Sequence, residues 1–152
     1  MADFIYFKFN EALNSGFAFD PLTATIKMVG VNETGGGTMY VPDQDTHAFL
    51  SDVPLASRMG TVTVTGITRT ANLTTKRSVL DVPAGISVPT FTAPKVDSLV
   101  FYVDTGVEAT SRLICRYDSW TGLPIASGLP GGPFFFTVPV DANKLLAIGK
   151  GA

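Results

Sequence analysis

Two short runs in the last third of the chain constrain its fold more than any other feature. Residues 98–103 (SLVFYV) and 111–117 (SRLICRY) are apolar enough for a core, short for helices, and joined by DTGVEAT with Gly106 inside the connection. That pattern predicts an antiparallel hairpin with a long loop. Alternation places Leu113, Cys115 and Tyr117 on one face of the second strand and Ile114 and Arg116 on the other. In 98–103 both faces are apolar. A two-layer sandwich has one inner face per sheet, so Val100 and Tyr102 need a further cover: a loop, the N-terminal segment or a second protein.

The remaining segments carry the same signature. Residues 61–68 (TVTVTGIT) alternate, with Val62 and Val64 inward, Thr61, Thr63 and Thr65 outward, and Gly66 marking a bulge. Residues 22–29 (LTATIKMV) read as a strand with Leu22, Ala24, Ile26 and Met28 on one face, ended by Gly30. Strands are expected near 78–82 and 86–91, kept short or at edges by Pro83, Pro89 and Pro94. Residues 134–140 (FFFTVPV) put Phe134, Phe136 and Val138 on one face and direct Phe135 to the other. A turn at Asp141, Ala142 and Asn143 then leads into a last strand at 144–149.

Helical signals are few. Residues 3–14 carry Ile5, Phe9, Ala12 and Leu13 at helical spacing with a stop at 14–16. Phe7 and Phe9 also alternate about Lys8, so an extended arm competes with the helix. Residues 32–45 read as a loop with Gly35, Gly36 and Gly37. One helical turn is expected at 45–52, capped by Asp45 or Thr46 and anchored by Phe49 and Leu50. Short strands, Pro and Gly at the turns and no helix–strand alternation predict a mainly all-β fold. It is expected to be an antiparallel β-sandwich or small barrel, one domain over residues 1–152 with 1–20 as an N-terminal helix or arm.

Composition narrows the function. Eleven Lys and Arg stand against 13 Asp and Glu with no basic cluster, which argues against nucleic-acid binding by counterion release. One Cys and one His leave no disulfide framework or Cys-based zinc site. The chain is 45% hydrophobic with a mean hydropathy of +0.28, yet no segment has the roughly 20 apolar residues of a membrane helix. The opening MADFIYFKF lacks the basic flank of a secretory signal, so synthesis and retention in the cytoplasm are expected.

No residue is assigned a catalytic, cofactor-binding or metal-binding role. His47 lies near Asp43, Asp45 and Asp52, but an EF-hand loop begun at Asp43 would have Ala48 in its sixth place and Pro54 in its twelfth. The expectation there is a turn capped by carboxylates with His47 half exposed. Cys115 sits within an apolar strand and reads as a core residue rather than a nucleophile. Glu33 and Glu108 fall in predicted loops and read as solvated charge. The aromatic side chains Phe4, Tyr6, Phe7, Phe9, Trp120 and Phe135 are the candidates for an interface with another protein.

Six segments together carry a resemblance: KFNEALNSG (8–16), TATIKMVGV (23–31), DTHAFLSDV (45–53), FTAP (91–94), YVDTGVEATSRLICRYDSWTGLP (102–124) and GGPFFFTVPVDANKLLAI (131–148). In this order they are similar to a family of small virion proteins of tailed bacteriophages. Where the family's last strand has a Trp before the Asp, this chain has Pro139 and Val140. The resemblance implies a β-sandwich without catalytic residues or cofactors, assembled as a homo-oligomer on the virion. The expected role is a capsid decoration, or cement, protein on the outer head surface, bound to the major capsid protein. A trimer would match the threefold positions of a capsid. A tail, neck or baseplate component is the first alternative. A carbohydrate-binding host-attachment module, with Trp120 in an exposed aromatic platform, is the second.

Overall fold

The hairpin predicted over residues 98–117 forms the middle of a five-stranded antiparallel sheet in the computed structural model, which describes residues 3–34, 39–74, 77–92, 94–126, 132–138 and 145–149. In chain order the elements are β1 (Phe4–Ile5), α1 (Phe7–Asn14), β2 (Ile26–Val31), β3 (Arg58–Thr63), β4 (Thr68–Asn72), β5 (Arg77–Asp81), β6 (Ile86–Val88), β7 (Ser98–Val103), β8 (Leu113–Tyr117), β9 (Phe134–Phe136) and β10 (Leu146–Gly149). The central sheet has the order β1-β8-β7-β2-β3; β10-β5-β4 and β6-β9 form two smaller sheets. The fold is mainly β, with antiparallel sheets and a short N-terminal helix, as the strand patterning predicts.

Both faces of the central sheet are covered by the chain itself. On one face Met28, Phe101 and Cys115 are in register, and Phe101 meets Trp120 with ring centroids 5.7 Å apart. Phe91 closes on Gly30 of the same face, where a Cβ would stand 2.5 Å from its ring, and Phe91 in turn packs on Phe134 and Phe136 of β9. The two-stranded sheet is joined to the central one through this contact. On the opposite face Val29, Val100 and Arg116 are in register; the Arg116 guanidinium lies over the Phe4 ring and binds Glu33, and Tyr6, edge-on to Phe4, bonds Tyr40. Val100 and Tyr102 are both buried within the chain, Tyr102 beside Lys27, Thr61 and Asp104. Of the covers weighed for them, the chain's own is the one found.

The N-terminal segment is both of the things its sequence allows, in succession. Phe4 and Ile5 pair with Arg116 and Cys115, so Ile5 belongs to a strand and not to the helix. The helix then begins at Phe7 and buries Phe9 against Phe17 and Phe19. It ends in a Schellman arrangement: Phe17 N donates to Ala12 O at 2.9 Å and Gly16 N to Leu13 O at 3.3 Å, with Gly16 at φ +91°. The stop predicted at 14–16 is thus present.

Several boundaries differ from expectation. The strand expected at 22–29 runs from Ile26 to Val31, because Asp20 and Pro21 draw residues 20–24 into a turn, with Thr23 N and Ala24 N both donating to Asp20 O. Gly30 lies inside that strand, where its missing side chain admits Phe91, and the bulge of this ribbon falls at Gly30/Val31. The strand expected at 61–68 is two: β3 ends at Thr63, and Gly66, at φ +72°, turns the chain into β4 of another sheet. Phe134 and Phe136 face inward and Phe135 outward, as the alternation requires. The glycines at 35–37 and the turn at 141–143 lie outside the described residues.

Candidate functional site

Of the six aromatic residues singled out for an interface, three belong to the core. Tyr6 and Phe9 are fully buried, and Trp120, 2% exposed, stacks on Tyr117 at 5.0 Å. The exposed platform that a carbohydrate-binding reading needs at Trp120 is not formed. Phe4 is half-buried, its ring set edge-on to Tyr6 and under the Arg116 guanidinium. Phe7 and Phe135 remain at the surface, 53% and 62% exposed. Phe7 is held by the first turn of α1, its backbone N–H donating to Gln44 O at 2.8 Å. Phe135 projects from the middle of β9, between inward-facing neighbours, and lies over Gly85, which has no side chain to displace it. The structure does not bring these two residues together in any contact of their own.

The second feature is an open cleft of about 520 Å³ whose wall includes Thr34, Tyr40, Val41, Pro42 and Pro124 and whose charged groups are Glu33, Asp97, Arg116 and Asp118. Arg116 projects from β8 into an interior position, 1% exposed, and binds Glu33 through Nε at 2.6 Å and Nη2 at 2.5 Å and Asp118 through Nη1 at 3.1 Å. Burial works against its charge, and the two carboxylates nonetheless hold its pKa above the ordinary guanidinium value. Asp97 Oδ2 accepts the Glu33 and Thr34 N–H groups at 2.8 and 3.1 Å. Burial opposes ionisation of Asp97, but these donors and Lys95 keep its pKa below the usual carboxylate range. Arg116 is thus matched by Glu33 and Asp118, and Asp97 by Lys95 and the two N–H groups, and these bonds hold the segment after β2 onto the sheet. Glu33 is a buried partner of Arg116, not the solvated loop charge expected of it; Glu108, 55% exposed and bound to Arg58 at 2.6 Å, is nearer that expectation.

The groups with chemical potential are engaged structurally. Tyr6 and Tyr40 hydroxyls lie 2.6 Å apart, and Tyr40 Oη is 3.1 Å from His47 Nδ1. Asp43 N donates to the same Nδ1 at 3.3 Å, so in a neutral ring Tyr40 donates to His47 and Tyr6 to Tyr40. Asp43 accepts from Asp45 N and Thr46 N, and Asp52 from Ala48 N and Phe49 N. The carboxylate-capped turn with a half-buried His47 is as expected, whereas the helical turn expected at 45–52 is confined to Leu50–Asp52 and begins after Phe49, so neither Asp45 nor Thr46 caps it. Among the described residues no group of three or more His, Cys, Asp or Glu is placed to hold a metal. Burial pushes the Cys115 thiol up to about 12, which leaves it protonated at neutral pH.

Sequence reasoning missed the Arg116–Glu33 pair. Its signal was an arginine inside an apolar strand whose faces both need cover, since a buried cation requires a carboxylate brought to it. No protein family, curated protein or solved structure matches the chain.

Proposed function

We propose that this chain is a structural protein of a tailed-phage virion: a decoration protein on the outer capsid surface that clamps neighbouring subunits of the major capsid protein. The sequence resemblance over residues 8–148 supports this reading. The observation that carries it is the display of Phe7 and Phe135 on regular elements whose other aromatic residues, Phe9, Phe134 and Phe136, are wholly or partly buried. Large aromatic side chains fixed outside a well-packed core are the usual hot spots of protein interfaces. A rigid mount lowers the ordering cost of binding. Standard interfaces hide about 800 Å² per partner, and the symmetry of a shell repeats such a contact many times.

Binding of the purified protein to heads that lack it tests the reading. Phe7→Ala combined with Phe135→Ala is expected to reduce occupancy at least tenfold while leaving the fold intact. Undiminished occupancy removes these residues from the interface, and no binding of the wild-type protein contradicts the proposed function. Copy number separates the head from the tail: many copies per particle indicate decoration, a dozen or fewer a tail, neck or baseplate component.

A further inference from the structure

The strand β4 is exposed on both of its faces and on its outer edge. Thr68, Arg69, Thr70 and Ala71 are all exposed, whereas its partner β5 buries Val79 and Leu80. Among the described residues, no strand pairs with the side of β4 away from β5. The direction of the backbone groups follows from the neighbouring ladder. Leu80 O accepts from Leu145 N, on the β10 side of β5, so Leu80 turns its polar groups away from β4. Arg69, which is opposite Leu80, is then in a non-hydrogen-bonded pair and turns its own N–H and C=O outward. Alternation does the same to Ala71. Thr68 and Thr70 face β5, in agreement with the Thr68 Oγ1 bond to Asp81 O.

We infer that β4 is the pairing edge for a second copy of this chain, joined antiparallel across a twofold axis at Thr70. Two outward residues with one between them form a self-complementary template. Arg69 of one copy opposes Ala71 of the other, giving four backbone hydrogen bonds, and Thr70 meets its own symmetry mate in a non-hydrogen-bonded pair. Centring on Arg69 instead sets two guanidinium groups opposite each other, a destabilising like-charge pair. Arg69 is the one charged residue of β4, and its Nη1 lies 3.8 Å from Asp20 Oδ1 of its own chain, which offsets its charge at the edge. Thr–Thr pairs across strands are favourable, and an unpaired edge is a standing template for strand addition. The union makes one six-stranded sheet, β10-β5-β4 followed by its mirror order. This inference stands apart from the capsid reading, since it concerns the protein in solution. It predicts twofold assembly where capsid symmetry alone suggested a trimer.

Thr70→Cys tests it. The central pair has Cα atoms about 4.5 Å apart, within the span of a disulfide, and Cys115 is buried and does not compete. With glutathione disulfide as oxidant, most of the Thr70→Cys protein is expected to become covalent dimer on a non-reducing gel. The same change at exposed Thr61, on β3, is expected to give at least tenfold slower cross-linking. Ala71→Pro removes only an outward N–H, so it preserves β4–β5 pairing while blocking the partner, and it is expected to abolish cross-linking of Thr70→Cys. Sedimentation of the wild-type protein is expected to give a dimer. Cross-linking no faster than at Thr61, or a monomer or trimer by sedimentation, overturns the inference whatever the fate of the capsid experiment.

Discussion

Arg116 grips both carboxylate oxygens of Glu33, at 2.6 and 2.5 Å, from within a strand that is otherwise apolar. Glu33 Oε1 also accepts from Ser98 Oγ at 2.5 Å, so one carboxylate ties the segment after β2 to both β7 and β8. Removing Glu33 leaves the buried Arg116 with Asp118 as a carboxylate partner, which offsets part of the cost of breaking a buried ion pair, about 3–5 kcal/mol. Glu33→Gln is expected to lose up to that much stability in urea titration. Glu33→Gln with Arg116→Met is expected to lose less than the two single changes added together, because the double change removes the buried cation along with the carboxylate brought to it.

The two phenylalanines of the first helix separate by burial. Phe9→Ala empties a position fully inside the core and is expected to cost about 3–5 kcal/mol. Phe7→Ala, at an exposed position, is expected to stay within about 0.5 kcal/mol of wild type. Thermal and urea unfolding of the two variants check both values.

Gly30 is a contact position without a side chain. Adding a methyl group there drives it to 2.5 Å from the Phe91 ring, so Gly30→Ala is expected to destabilise by about 1–3 kcal/mol. Phe91→Leu in the same chain is expected to return part of the loss. A sum of the two single effects in the double variant would show that the ring is not what Gly30 accommodates.

Acid should weaken the fold through its hydrogen-bonded carboxylates. Asp97 opposes the cost of burial with N–H donors and Lys95, while Asp104 is held low by Lys27, and both pKa values fall below 3.8. A folded pKa below the unfolded one gives stability that is present above the unfolded value and lost as pH falls through the folded one. The urea midpoint is therefore expected to be insensitive to these two groups above about pH 5 and to drop below about pH 4. Asp97→Asn should start lower and show a shallower acid drop.

The strands of the hairpin were legible because period-two alternation and the Gly106 loop are local signals. Ser98–Val103 coincides with the expected run, and the inward set Phe134, Phe136 and Val138 follows from the pleat alone. The cover over the second face was not legible. It depends on Glu33 reaching Arg116 across 83 residues and on Tyr6 meeting Tyr40 across 34, and no local pattern marks such pairings. β4 escaped for a related reason: TRTAN buries nothing, so it lacks the apolar alternation that reveals a strand. Exposure likewise split the aromatic candidates, since residue type gave Tyr6, Phe7 and Phe9 the same weight and only packing distinguishes them.

The count of this chain per particle in purified virions, by quantitative mass spectrometry, tests the central claim most directly. The account predicts hundreds of copies, in fixed proportion to the major capsid protein. Absence from the particle would contradict it.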